Sequence, residues 1–167
     1  NPESISDFLG IAGAEEAAGN DLDRWALSHL QATVATVRER MDAFDCTAAG
    51  RAIAEYVEQL SNWYVRLSRR RFWEGDRAAF ATLRHCLVEV AALLAPFTPF
   101  LADEIHLNLA GGEGGELGEL PDSVHLRDFP HPDPALADPG LEAAMEAVRL
   151  TVELGRAARA QAKVKVR

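Results

Sequence analysis

Ile53-Ala54-Glu55-Tyr56-Val57-Glu58-Gln59-Leu60-Ser61-Asn62-Trp63-Tyr64-Val65-Arg66-Leu67-Ser68-Arg69-Arg70-Arg71-Phe72-Trp73 carries a different message on each of two faces. Ile53, Tyr56, Val57, Leu60, Tyr64 and Leu67 recur at helical spacing, which predicts one amphipathic helix over about 47–71. With Asn62 at zero on a wheel of about 100° per residue, Ile53, Leu60 and Leu67 cluster at about 140–180°. Arg66 then falls at about 40°, Arg69 at about −20° and Trp73 at about 20°, with Trp63 and Arg70 flanking them at about 80–100°. A packed face therefore lies opposite a stripe of an amide, guanidiniums and indoles.

Those side chains suit unpaired RNA bases. An arginine presents a planar fork to phosphates and base edges. An aromatic ring stacks on a base, a contact of roughly 1–3 kcal/mol, and an asparagine both donates to and accepts from a base edge. Splayed RNA loops expose those edges. The competing explanation is a solvated helix end, because cations such as Arg69-Arg70-Arg71 also suit the negative end of a helix dipole. Periodicity leaves both readings open.

Further helices flank this one. Leu27, Leu30, Val34, Val37, Met41 and Phe44 form the stripe of a first helix capped by Asn20 or Asp21. Glu74-Gly75-Asp76 is a turn, with Asp76 the candidate cap of a third helix that carries Phe80, Leu83, Leu87, Val90 and Leu94 and stops at Pro96. Thr98-Pro99 starts a short fourth helix to about Leu109. The glycine-rich 111–115 segment is a flexible loop. Val124, Leu126 and Phe129 have β character. Asp138-Pro139 caps a last helix with Leu141, Met145, Val148 and Val152 on one face. The predicted fold is all-α, a bundle of four to five helices with one short extended segment. Residues 1–20 read as a linker, 21–137 as the bundle, and 138–167 as a C-terminal helix leading toward a further region.

Composition narrows the function. Hydrophobic residues make up 48% of the 167, enough for a globular core without staples. Cys46 and Cys86 form no C-x-x-C pair and are expected to be two buried thiols of a cytoplasmic protein. No apolar run approaches the roughly 18 residues that span a bilayer. Asn1-Pro2-Glu3-Ser4 has neither a starting methionine nor a basic leader, so the chain is expected to be a piece of a longer one. The net charge of −9 argues against bulk attraction to nucleic acid. Yet residues 61–87 hold six arginines against Glu74 and Asp76, a local +4, and residues 153–167 hold five basic residues against Glu153. Arg156, Arg159, Lys163 and Arg167 form a second basic stripe at helical spacing, for which a solvated helix end is again the competing reading. Asp103-x-x-His106 and Asp122-x-x-His125 fall short of the carboxylate-and-histidine sets of a di-metal bundle, so no metal is expected. His85 and Cys86 are adjacent on a helix and point about 100° apart, which excludes a nucleophile pair. No phosphate-binding glycine loop or nucleophile elbow occurs. No catalytic residue is expected.

The stretch 61–73 resembles the anticodon-binding helix of class I aminoacyl-tRNA synthetases of the isoleucyl, valyl and leucyl group. Leu94-Ala95-Pro96-Phe97-Thr98-Pro99-Phe100-Leu101-Ala102-Asp103-Glu104-Ile105 is similar to the group's Pro-Phe-x-Pro-Phe segment, and Asp23-Arg24-Trp25-Ala26-Leu27-Ser28 to the start of its first bundle helix. Ser123-Val124-His125-Leu126-Arg127-Asp128-Phe129-Pro130 and the basic end Ala162-Lys163-Val164-Lys165-Val166-Arg167 resemble the isoleucyl branch. The resemblance covers about residues 21–167. His106 departs from the aromatic residue usual at that place. The resemblance implies a parent enzyme that charges tRNA with isoleucine using ATP and Mg, whose catalytic and editing domains and nucleotide-binding signatures lie outside this chain. It implies no cofactor here and a tRNA anticodon stem-loop as partner. Asn62 and Arg66 carry the anticodon contacts by resemblance. Arg69, Arg70, Trp73 and Trp63 join them from the helical wheel. A valyl or leucyl relative, or a bundle that only braces its parent, are the alternatives.

Overall fold

The computed structural model describes residues 20–110 and 121–164. The expected linker lies outside them except for Asn20, as do the 111–115 loop and Arg167. The first helix, α1, spans Asp21–Asp42. Asn20 caps it by accepting from Leu22 N at 2.9 Å, and Asp21 and Asp23 in the first turn suit the positive end of its dipole. Leu27, Leu30, Val34 and Val37 are buried as their spacing predicts.

Phe44 is not part of that stripe. α1 closes with Phe44 N donating to Met41 O and Asp45 N to Arg40 O, a Schellman ending that puts Phe44 in the left-handed region at φ 58° and leaves it 91% exposed. Glycine usually occupies that position, because a Cβ there costs roughly 1–2 kcal/mol. The Phe44 ring is so exposed that losing it forfeits little packing. Phe44→Gly is therefore expected to raise the unfolding free energy by about 0.5–1 kcal/mol, measured by urea titration.

The second helix differs from the single rod predicted over 47–71. α2 spans Cys46–Gln59, capped by Asp45, whose side chain accepts from Ala48 N. A π-helical segment follows at Leu60–Val65, then a turn at Ser68 and the short α3, Arg69–Trp73. A π turn closes i→i+5 hydrogen bonds and takes up more residues than an α turn. The buried face consequently runs Tyr56, Leu60, Tyr64, Ser68 at steps of four, and Leu67, expected in the core, is 53% exposed. Val57 is also exposed. Cys46 opens α2 and is exposed, which corrects the expectation of two buried thiols. Cys86 is buried, and burial pushes its thiol up to about 12.

Asp76 caps α4, Arg77–Leu94, by accepting from Ala78 N and Ala79 N. Phe80 is half exposed at its start and packs on the ring of Phe72, 5.1 Å between centroids. The chain turns at 95–98 around Pro96 and enters α5, Pro99–Ala110. Val124–Leu126 forms one 3-10 turn between the extended residues Ser123 and Arg127, instead of the β run expected from its composition. A strand needs a neighbour to pair with, and the described residues contain none. Asp103 on α5 fastens this turn, accepting from Ser123 Oγ at 2.7 Å and Val124 N at 2.9 Å.

The last helix, α6, spans Pro139–Gln161 with Asp138 as its cap. It starts against α1, where Arg24 pairs with Asp138 at 2.6 Å and Ser28 donates to Glu142. Leu141 and Met145 pack on the main core, whereas Val148 is half exposed and residues 153–161 are exposed. Trp25, Leu30, Val34, Ile53, Tyr56, Leu60, Tyr64, Cys86 and Leu93 build that core where α1, α2 and α4 meet. A smaller cluster of Ala91, Ala92, Ala102 and Val124 joins α4 to α5. The fold is thus the predicted all-α bundle. No helix among the described residues is long and apolar enough to cross a membrane.

Candidate nucleic-acid interface

The segment from α2 to α3 is pinned from beneath. Tyr64, fully buried, donates its hydroxyl to Asp23 at 2.6 Å. Arg71 grips both Asp23 oxygens at 2.7 Å each and donates Nε to Asp76 at 2.7 Å. These bonds to Asp23, together with its pairing to Asp76, hold Arg71 more firmly charged than a free arginine; the same guanidinium holds the Asp76 carboxyl below its usual range. Burial, then the bond to Asp23, pushes the Tyr64 phenol up. Arg71 is therefore a structural clamp and not a member of the basic face. Arg84, another of the six arginines, is also committed, donating Nε and Nη2 to Leu109 O near the end of α5.

Above this clamp, Asn62 and Arg66 are exposed and Trp63 is half-buried against the core. The three line one wall of a groove of about 760 Å³. Arg149, Val152 and Arg156 of α6 form the facing wall, with Gln59 and the carboxylates Glu55, Glu58 and Glu153 between and around them. Arg149 ties the walls together, donating Nη1 to Gln59 Oε1 at 2.6 Å and to Glu146 Oε2 at 2.9 Å.

The single stripe read from the wheel is divided. Asn62, Trp63 and Arg66 come together in the groove. Arg69, Arg70 and Trp73 are exposed beyond the Ser68 turn and do not line it. The extra residue taken up by the π segment and the break at Ser68 put them on a different register. Trp73 is 86% exposed, and Arg70 pairs with Glu74 at 2.7 Å. The C-terminal stripe is divided too. α6 ends in a Schellman turn, with Lys163 N donating to Ala160 O, Val164 N to Arg159 O, and Lys163 at φ 54°. Arg156 alone of the described stripe residues lines the groove.

The other candidates serve structure. Asp103 fastens the 3-10 turn, as described. His106, where the resemblance expects an aromatic, is fully buried, with Nε2 2.8 Å from Pro121 O. A carbonyl can only accept, so that nitrogen carries the proton. Sequence reasoning missed Arg149, and it places Val152 on an apolar stripe and Arg156 on a basic stripe, not in one site with Asn62 and Arg66. The spacing of these three α6 residues is that of one helix face, but nothing local shows that this face meets residues about ninety positions earlier.

A family model described as the anticodon-binding domain of tRNA ligase matches residues 23–167. The isoleucine–tRNA ligase of Thermus thermophilus is 48% identical over 153 residues, covering 88% of this chain and 14% of that relative. Isoleucine–tRNA ligase 2 of Bacillus thuringiensis subsp. konkukian is 47% identical over 151 residues, 87% of this chain and 14% of the relative. The isoleucine–tRNA ligase of Thermobifida fusca is 45% identical over the same length, with the same shares covered. The chain thus spans about one-seventh of the length of these relatives.

Proposed function

The chain belongs to the anticodon-binding domain family of tRNA ligases, and on that premise we propose that it holds the anticodon stem-loop of an isoleucine tRNA for a larger ligase. The observation that carries this reading is the convergence of Asn62, Trp63 and Arg66, exposed or half-exposed, on one groove over a rigid buried clamp. An amide can read the edge of an unpaired base, an indole can stack on it, and a guanidinium can hold its phosphate. Arg69, Arg70 and Trp73, exposed beyond the Ser68 turn, would add contacts to the loop backbone.

Chemistry at the amino acid and at ATP with Mg would be the task of the rest of the ligase, including its catalytic and editing domains. This module would supply position, holding one end of the tRNA so that the distant acceptor end reaches the catalytic domain. The isoleucyl reading is favoured over the valyl or leucyl one because the relatives named above are isoleucine–tRNA ligases. The setting would be the cytoplasm, where translation takes place.

The test is binding of this chain to an isoleucine anticodon stem-loop and to the same stem with a valine anticodon, at two salt concentrations. The isoleucine loop is expected to bind about tenfold tighter, the scale of one lost base contact. The affinity should fall with salt at a logarithmic slope of about −2, as for three arginine–phosphate contacts to a single strand. Equal affinity for the two loops would favour a bracing role.

A further inference from the structure

We propose that the groove between the π segment and α6 is a pocket for a single unpaired nucleotide, with α6 as its second binding wall. In this arrangement Trp63 is the stacking platform, and Arg66 and Arg156 hold the flanking phosphates. The proposal rests on the anticodon-binding reading above and adds a helix that neither the resemblance nor the wheel included in the site.

Three observations support it. The groove, about 760 Å³, falls within the roughly 300–1,000 Å³ of clefts that enclose small ligands. Its lining is chemically mixed, with the guanidiniums of Arg66, Arg149 and Arg156 balanced by the carboxylates of Glu55, Glu58 and Glu153. A bare phosphate would meet repulsion from those carboxylates. A nucleobase carries both donors and acceptors and satisfies both signs, while its phosphates reach the arginines at the rim. Finally, Trp63 packs on the core and still lines the groove, so a base that enters meets an immobilised ring. Sequence-tolerant stacking of that kind is how single-stranded nucleic acids are held.

The α6 residues divide the work. Arg149 is a positioning residue, since its bond to Gln59 joins the two walls, while Glu146 on its own helix orients the guanidinium. Arg156 is exposed on α6, and no hydrogen bond or ion pair to a described residue engages it, which leaves its guanidinium available to a phosphate. The π segment gives the wall its register: an uninterrupted α-helix would have carried Leu67 to the buried side and turned Trp63 and Arg66 relative to α6.

The experiment measures binding of the isoleucine anticodon stem-loop to Arg156→Ala, Arg66→Ala and Arg51→Ala, with thermal melting of each. Arg51 is exposed on α2 and does not line the groove, so it reports the effect of bulk charge. Arg156→Ala is expected to bind about fivefold more weakly, with the salt slope reduced by about 0.7, at an unchanged melting temperature. In a Trp73→Phe background, which removes the other exposed indole, saturating RNA should quench the tryptophan fluorescence, and adding Trp63→Phe should remove most of that quenching. If Arg156→Ala matches Arg51→Ala in affinity and slope while Arg66→Ala is weakened, the α6 wall is refuted and the anticodon reading stands. If Arg66→Ala also matches Arg51→Ala, the anticodon reading fails with it. Quenching that survives Trp63→Phe would remove the stacking platform.

Discussion

Asp23→Ala is expected to lower the unfolding free energy by about 3–5 kcal/mol. The Asp23 side chain is 2% exposed and accepts three bonds, two from Arg71 and one from Tyr64. Its removal leaves a guanidinium facing an apolar void and a buried phenol whose nearest remaining acceptor is Ala79 O, 3.1 Å away. The arginine is 18% exposed and keeps Asp76, which places the loss toward the lower end of the range. Asp23→Asn keeps one acceptor and should cost less. Replacing Asp23 and Arg71 together by apolar residues should cost less than the sum of the single changes, because neither substitution then strands a charge. Denaturant unfolding of the four variants measures this coupling. A loss below about 1 kcal/mol for Asp23→Ala would show that the network adds little. The consequence for function is local: the network ties the first turn of α1 to α3 and to the cap of α4, and so holds the turn at Ser68 from which Arg69 and Trp73 project.

Asn62→Ala and Arg66→Ala are each expected to weaken stem-loop binding by about 1–3 kcal/mol, roughly five- to 150-fold, and to leave the melting temperature nearly unchanged. Both side chains are exposed, and neither donates or accepts a hydrogen bond that the fold depends on among the described residues. The two should differ in kind. Loss of the amide should narrow the gap between isoleucine and valine loops, because amides read base edges. Loss of the guanidinium should weaken all loops and flatten the salt dependence. Arg66→Lys should recover charge and slope but not the planar fork, and so only part of the affinity. Calorimetric or fluorescence titration against both loops resolves these outcomes. A large fall in melting temperature with unchanged binding would move either residue from recognition to structure.

Much of this was legible in the sequence. Caps are local: Asn20, Asp76 and Asp138 each accept from an amide two or three residues ahead, so the sequence near each one suffices to name it. Helical burial repeats with the backbone period, which made Leu30, Val34, Ile53, Tyr56 and Leu60 identifiable as core. The pattern Asn62-x-x-x-Arg66 with Trp63 beside it pointed to the groove wall, because residues so spaced share a helix face whether or not the helix is regular. By itself, then, the sequence determined the all-α class, most helix starts, the core stripe and the family.

The tertiary structure decided the rest. The wheel assumes one constant pitch, and the π segment at Leu60–Val65 breaks it. In that segment and just beyond it, Tyr64 reaches Asp23 on α1 and Arg71 reaches both Asp23 and Asp76, contacts that exist only because α1, α2 and α4 pack together. The change of pitch exposed Leu67 and separated Arg69, Arg70 and Trp73 from the groove. Arg71 looked like part of a basic run because a charge count does not show which arginine lies over a buried carboxylate. Arg149 and Arg156 could not be assigned to the site because a groove between helices is a property of two faces, and only their packing makes the faces meet.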